Sequence, residues 1–324
     1  MLTSVLLFAV GLVLLIKGGD WFVDGATGIA KRFNLPDIVV GATVVSIGTT
    51  LPEVMVSTTG ALQGSGAMAY GNAIGSIICN TALIAAISIV CNPGPVNTKS
   101  MKTPAMFFFG SAALYCLAAY GLATFPRWLG FIMLTIFVIY MILTVRNGLK
   151  NPDSASEEEE EGGKPRQLWQ ELAFLIVGAA VIAVGADLLV EHGQVIAIGL
   201  GVPATVVALL FVALGTSLPE LVTTITSLRK GRASLGVGNV IGANVFNLVL
   251  VSGVAVSLAP FDVPVENELL NTGLNLSLVF DIPVMLGVMS LMIFPALATK
   301  KLHRWQGIAL LGIYAAFCVC QFVL

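Results

Sequence analysis

The sequence is short of charge. Of its 324 residues, 16 are Lys or Arg and 18 are Asp or Glu, so charged side chains make up 10% of the chain. Soluble domains carry about 25%. Hydrophobic residues reach 57%, and the mean hydropathy is +0.95. So few charges cannot cover the surface of a soluble chain of this length. A soluble enzyme, a nucleic-acid binder and a disordered chain are excluded on that ground. A polytopic membrane protein remains, with the lipid bilayer as its solvent.

Other absences narrow the reading. The five cysteines, Cys79, Cys91, Cys116, Cys318 and Cys320, sit in or beside apolar runs and form no CxxC or Cys/His cluster. Neither a zinc site nor a disulfide framework is indicated, and the cysteines read as small apolar packing residues. HExxH, an aspartate-rich diphosphate motif and a GxSxG nucleophile elbow are all missing. Their absence argues against an intramembrane enzyme, and no cofactor or obligatory protein partner is expected. The N-terminal run lacks a basic n-region and an obvious small-x-small cleavage site, so it is kept as the first helix.

Long apolar runs are what the chain has in abundance. Segments able to span fall at about 4–30, 36–62, 67–91, 104–121, 127–146, 168–198, 203–228, 234–258, 276–296 and 304–323. A span needs roughly 20 residues. The expectation is an all-α polytopic protein of ten transmembrane helices. With residue 1 outside, 14 of the 16 basic residues fall on inside loops; Arg127 is outside and Lys17 lies within the first helix. The positive-inside rule then places both termini outside the cell (inner) membrane. Residues 151–167, NPDSASEEEEEGGKPRQ, read as a disordered, acidic cytoplasmic linker. It separates residues 1–150 from 168–324.

The two parts match at a constant offset of 167 residues. GTTLPE at 48–53 answers GTSLPE at 215–220, and GNAIGSIICN at 71–80 answers GNVIGANVFN at 238–247. Between 18–80 and 185–247 no gap is needed, and 21 of 63 pairs are identical. Each part holds five expected helices, an odd number, so the second enters the membrane from the opposite side. Such inverted repeats build secondary transporters, with the site near the midplane on interrupted helices.

The repeated motifs supply the chemistry. Pro52 removes a backbone donor and clashes with the preceding turn, so the helix is expected to break and free carbonyls around Ser46–Gly48. Thr49 and Thr50 add hydroxyls. Glu53 and Glu220 each sit mid-span in an apolar helix, and such residues mark ion or proton pathways. Asn72, Ser76 and Asn80 line one helix face at i, i+4 and i+8; the second repeat carries Asn239, Ala243 and Asn247 there. Gly71 and Gly75, like Gly238 and Gly242, form small-xxx-small pairs for close helix approach. Asp20, Asp24, Asp187 and Glu191, with Lys17, are anchors and packing residues or the lining of ion vestibules. The oxygen-rich donor set suits hard cations such as Ca²⁺ or Na⁺. The two carboxylates carry −2, which one Ca²⁺, two Na⁺ or two protons would neutralise.

These motif pairs, in this order, resemble the two α-repeats of the sodium/calcium exchanger family. The resemblance covers both parts of the chain and the helix count. It implies ten helices in two inverted five-helix repeats, with helices one and six sliding past a rigid core. It also implies Ca²⁺ ligands at Glu53, Glu220, Thr49 and Thr216. Na⁺ ligands would be Thr50, Ser217, Ser76 and the carbonyls of Ser46 and Ala213; Asn80 matches a central polar position. Asn247 stands where some members, including potassium-dependent ones, have aspartate. Ala243 stands where many have a serine. The implied function is Ca²⁺/Na⁺ antiport by alternating access. Exchange of Ca²⁺ or another divalent cation for H⁺ at the same glutamates is the alternative, and a passive cation channel is a third reading.

Overall fold

The computed structural model describes residues 2–150, 167–199, 215–264 and 275–323. The expected linker residues 151–166, and residues 203–214 of the expected seventh span, lie outside them. Helix α1 (Leu2–Phe33) runs for 32 residues, and α7 (Leu168–Gly199) also has 32. At 1.5 Å per residue each is about 48 Å long, more than the hydrocarbon core requires. Between them lie α2 (Asp37–Thr49), α3 (Leu51–Leu62), α4 (Gly66–Cys91), α5 (Thr98–Leu122) and α6 (Arg127–Lys150). After α7 come α8 (Leu218–Arg229), α9 (Ala233–Leu258), α10 (Ser277–Thr299) and α11 (Arg304–Val323). Among the described residues, seven helices are long and apolar enough to cross a membrane, and an eighth span arises if α2 and α3 are joined.

The expected segment 36–62 is therefore two helices, with a bend of 46° where Pro52 falls in the first turn of α3. The break has a repeat. Thr50 has φ −87° and ψ −1°, and Ser217, 167 residues on, has φ −89° and ψ 3°. Past the following helices, Gly64 and Gly231 take φ of 84° and 71°. Within α4 a π-helical stretch covers Asn80–Ala85, and within α9 another covers Asn247–Val251. The distortions thus begin at repeat-related asparagines.

Glycine sets how closely the helices approach. A Cβ at Gly11 of α1 would lie 2.9 Å from the carbonyl oxygen of Gly185 in α7, and the reverse contact is also 2.9 Å. A Cβ at Gly238 or Gly242 of α9 would strike the backbone of α2 at Ile38 or Ala42. Packing is thus backbone to backbone, as the small-xxx-small spacing predicted for Gly238 and Gly242. Residues 205–209, the repeat counterparts of Ile38–Ala42, are outside the described set, so the partners of Gly71 and Gly75 are not described.

Among the described residues two large hydrophobic clusters result, with a small third of Ala61, Ala69 and Ala255. The larger joins α4, α5, α6, α9, α10 and α11 through residues such as Tyr70, Tyr115, Phe125, Phe246 and Met289. The smaller joins α1 and α7, through Leu15, Phe22 and Ile182, to Val40 and Val45 of α2 and to Leu235. Four two-residue strands, absent from the expected all-α fold, tie the loops together. Strand β1 (Gly94–Pro95) pairs antiparallel with β4 (Lys301–Leu302), and β2 (Thr124–Phe125) pairs antiparallel with β3 (Phe261–Asp262). Each ladder joins a loop of one part to a loop of the other.

Candidate ion-binding site

The sequence fills the centre of the molecule with oxygen. Glu53 and Glu220 are both fully buried, as are Thr50 and Asn80, and Asn247 as well. Thr49 and Ser217 are 1% exposed and Ser76 3%. Each glutamate lies in the first turn of the helix resuming after a break. The positive N-terminal dipole of that helix favours the carboxylate there. The two carboxyls are electrostatic neighbours, and Thr50 Oγ1 lies 3.5 Å from Glu220 Oε1.

The breaks are held by a reciprocal pair of hydrogen bonds. Thr49 Oγ1 donates to Asn239 Oδ1 at 3.1 Å, and Thr216 Oγ1 donates to Asn72 Oδ1 at 3.4 Å. Each asparagine reaches into the broken helix of the opposite repeat. Ser46 Oγ also sits on Asn239, 3.0 Å from its carbonyl oxygen and 3.2 Å from Oδ1. Asn72 Nδ2 donates to Ser57 Oγ at 2.8 Å and to the Glu53 carbonyl at 3.3 Å. Asn72 and Asn239 were expected on this helix face but not among the ligands; their identity in the two repeats was the signal for them.

Not every strained carbonyl is free. In α2 a π-helical stretch, Gly41–Val45, precedes the break. Its Gly41 carbonyl accepts from Ser46 Oγ at 2.8 Å, and its Ala42 carbonyl accepts from Tyr140 Oη of α6 at 2.7 Å. The Ser46 carbonyl accepts the Thr50 N–H at 3.0 Å, leaving one lone pair for an ion. The Gly48 carbonyl loses its usual donor because Pro52 has no N–H. Ala213 lies outside the described residues.

Several polar atoms aimed into this centre have no partner among the described residues. They are both Glu53 carboxylate oxygens, Glu220 Oε2, Ser217 Oγ, and the amide atoms of Asn80 and Asn247. No Lys, Arg or His among the described residues pairs with either glutamate. Burying a carboxylate without a countercharge costs several kcal/mol. Two such carboxylates, ringed by hydroxyl, amide and carbonyl oxygens, fit a hard cation.

A cavity of about 660 Å³ leads to this centre. Its walls include Asp187, Glu191 and Gln194 of α7, and its inner end is formed by Pro52, Thr216 and Pro219. Elsewhere α1 packs directly on α8: a Cβ at Gly19 would strike Val222 and Thr226. Lys230 Nζ lies 2.6 Å from Asp24 Oδ1 and donates to the Asp20 carbonyl at 2.9 Å. Arg232 Nη1 lies 3.2 Å from Asp37 Oδ2. Asp20 and Asp24 thus belong to an ionic cluster with Lys230, whereas Asp187 and Glu191 line a cavity.

A polytopic helical membrane protein with a buried, oxygen-lined carboxylate pair between two broken helices belongs to the class of ion-coupled transporters. The sodium/calcium exchanger protein family model matches residues 3–146 and again 171–323. The chain belongs to the sodium/calcium exchanger family, whose members are cation antiporters and not enzymes. It is 33% identical over 307 residues to the membrane protein MJ0091 of Methanocaldococcus jannaschii, covering 95% of this chain and 94% of that one. It is 29% identical over 356 residues to the sodium/calcium exchanger MaX1 of Methanosarcina acetivorans, covering 98% of each. The solved structure of the sodium-calcium exchanger NCX_Mj soaked with Na⁺ and Sr²⁺ matches with a TM-score of 0.79, at 31% identity and 98% coverage of both chains.

Proposed function

We propose that this protein exchanges Ca²⁺ for Na⁺ across the cell membrane by alternating access to one central site. The observation that carries the reading is the Glu53–Glu220 pair: two fully buried carboxylates, one at each repeat-related helix break, without a positive side chain among the described residues to neutralise them. In this reading Ca²⁺ sits between the glutamates with oxygens of Thr49 and Thr216. Na⁺ takes oxygens of Thr50, Ser217 and Ser76, with the carbonyls of Ser46 and Ala213; Asn80 and Asn247 line the centre. The chain forms ten helices in two inverted five-helix repeats, 1–150 and 168–324, joined by a cytoplasmic linker, with both termini outside. The matching φ and ψ values at the two breaks and the reciprocal threonine–asparagine bonds support that symmetry. The close glycine packing of α1 on α7 supports their sliding as one body past the rest. The cavity beside α7 then opens the site to the outside.

One observation favours a second reading, Ca²⁺/H⁺ exchange. Ala243 is fully buried where the first repeat has the Ser76 hydroxyl, so the set of Na⁺ ligands is thinner in the second repeat. Proteoliposomes separate the two. Na⁺-loaded vesicles are expected to take up ⁴⁵Ca²⁺, and to stop when the Na⁺ gradient is removed. Glu53→Gln is expected to abolish that uptake. Equal uptake under a pH gradient alone would overturn Na⁺ coupling, and full uptake by Glu53→Gln would overturn the site.

A further inference from the structure

We infer that a second cation site, separate from the glutamate pair, lies where α4, α5, α10 and α11 meet, and that Asp281 of α10 holds a single alkali cation there. Antiport at the central pair does not require it, so the site goes beyond the proposed function.

Asp281 is an acidic residue inside a span that the ion centre does not use. It is half-buried in α10. Ionisable side chains within membrane spans are rare, are paired with something, and mark ion or proton paths. No Lys, Arg or His among the described residues pairs with Asp281. Its neighbours are neutral donors instead. Ser277 Oγ donates to Oδ2 at 2.8 Å, and Gln321 Nε2 of α11 donates to Oδ1 at 2.7 Å. These bonds orient the carboxylate and leave its charge of −1 uncompensated.

Two further observations point to a ligand. The first is a pair of phenols. The Tyr70 side chain of α4 is 2% exposed, its hydroxyl has no partner among the described residues, and Asp281 is its strongest electrostatic neighbour. Tyr115 of α5 is fully buried with its ring 5.8 Å from that of Tyr70, and its hydroxyl also lacks a partner among the described residues. A phenol buried in this way gives up its bonds to water without replacement. Packing against Phe125 alone would be served as well by phenylalanine. The second observation is backbone distortion. Three π-helical stretches border the ion centre, at Gly41–Val45, Asn80–Ala85 and Asn247–Val251. The other two among the described residues are Leu117–Leu122 in α5 and Ser277–Asp281 in α10. They meet at one bond, in which Tyr120 Oη donates to the Leu278 carbonyl at 2.5 Å. Such stretches frequently mark functional sites. Tyr70 precedes Asn80 by ten residues of α4, about 15 Å along the helix, so the two centres are distinct.

The chemistry selects the ligand class. Carboxylate, phenol and amide oxygens suit a hard cation. One carboxylate matches one positive charge, and a divalent ion would leave +1. No three Asp, Glu, His or Cys side chains cluster among the described residues to meet that excess.

The test uses Tl⁺, a heavy mimic of alkali cations. Wild-type crystals are soaked in Tl⁺ with Ca²⁺ in excess, so that Ca²⁺ holds the Glu53–Glu220 centre. The expected anomalous map shows a Tl⁺ peak in contact with the Asp281 carboxylate, which excess Na⁺ or K⁺ removes. The peak is expected to vanish in Asp281→Asn. If that variant does not fold, Tyr70→Phe keeps the ring packing, removes one oxygen, and is expected to lower the occupancy of the peak at the same Tl⁺ concentration. Tl⁺ confined to the Glu53–Glu220 centre in the wild type overturns the inference. So does a peak at Asp281 that neither competing cations nor either variant diminishes. Asp281 is then a hydrogen-bonded staple between α10 and α11.

Discussion

Asn239 holds two hydroxyls of the opposite repeat and is fully buried, whereas Asn72 holds one and is half-buried. Truncating Asn239 takes the acceptor from the buried Thr49 hydroxyl, at a cost of about 1–3 kcal/mol, while Ser46 Oγ keeps the Gly41 carbonyl; truncating Asn72 takes the acceptor from the half-buried Thr216. Asn239→Ala is expected to weaken the apparent Ca²⁺ affinity of exchange at least about tenfold, and more than Asn72→Ala does. Initial rates against Ca²⁺ concentration check this, and an equal effect of the two would contradict the unequal roles of the two asparagines. The glutamates were legible in the sequence because a carboxylate in an apolar run has few other reasons to exist. Tyr140 was not. Its partner is a carbonyl 98 residues away, exposed by a π-turn that no side-chain pattern announces.

At the level of elements, the break after Thr50 was legible from Pro52 and its repeat. The π-helical stretches at Asn80 and Asn247 were not, because a one-residue change in hydrogen-bond register leaves hydropathy periodicity nearly unaltered. The same limit hid the two-residue ladders. An asymmetry between the repeats is written in the sequence but acquires meaning only in three dimensions. Lys230 pairs with Asp24 and Asp20 of α1, while its repeat counterpart is Gln63; Arg232 answers Ser65. Among the described residues this ionic latch has no repeat counterpart at Gln63 and Ser65. These side chains are partly exposed, so the latch contributes on the order of 0.2–1 kcal/mol. Lys230→Gln is expected to shift the population away from the state with the α7 cavity open. A cysteine placed at Gln194 on that cavity wall would then react up to about fivefold more slowly with a membrane-impermeant thiol reagent. Unchanged reactivity would mean that the latch does not bias the two states.

At the scale of the whole molecule, scarcity of charge fixed the class, and the constant offset of 167 residues fixed where to look for the site. The family followed from motifs covering a fraction of the chain, because those motifs meet at one point in space. The α1–α7 pair is packed glycine to glycine, as the proposed sliding of the two as one body requires. The sequence showed two long first helices of repeats; their mutual contact depends on tertiary approach that spacing alone leaves open. Transport as proposed requires above all that a divalent cation be held between Glu53 and Glu220. Anomalous diffraction from crystals soaked in Sr²⁺ tests this directly. The prediction is a dominant peak between the two carboxylates that disappears in Glu53→Gln. A strong peak confined to the Asp187–Glu191 mouth, with nothing between the glutamates, would contradict it.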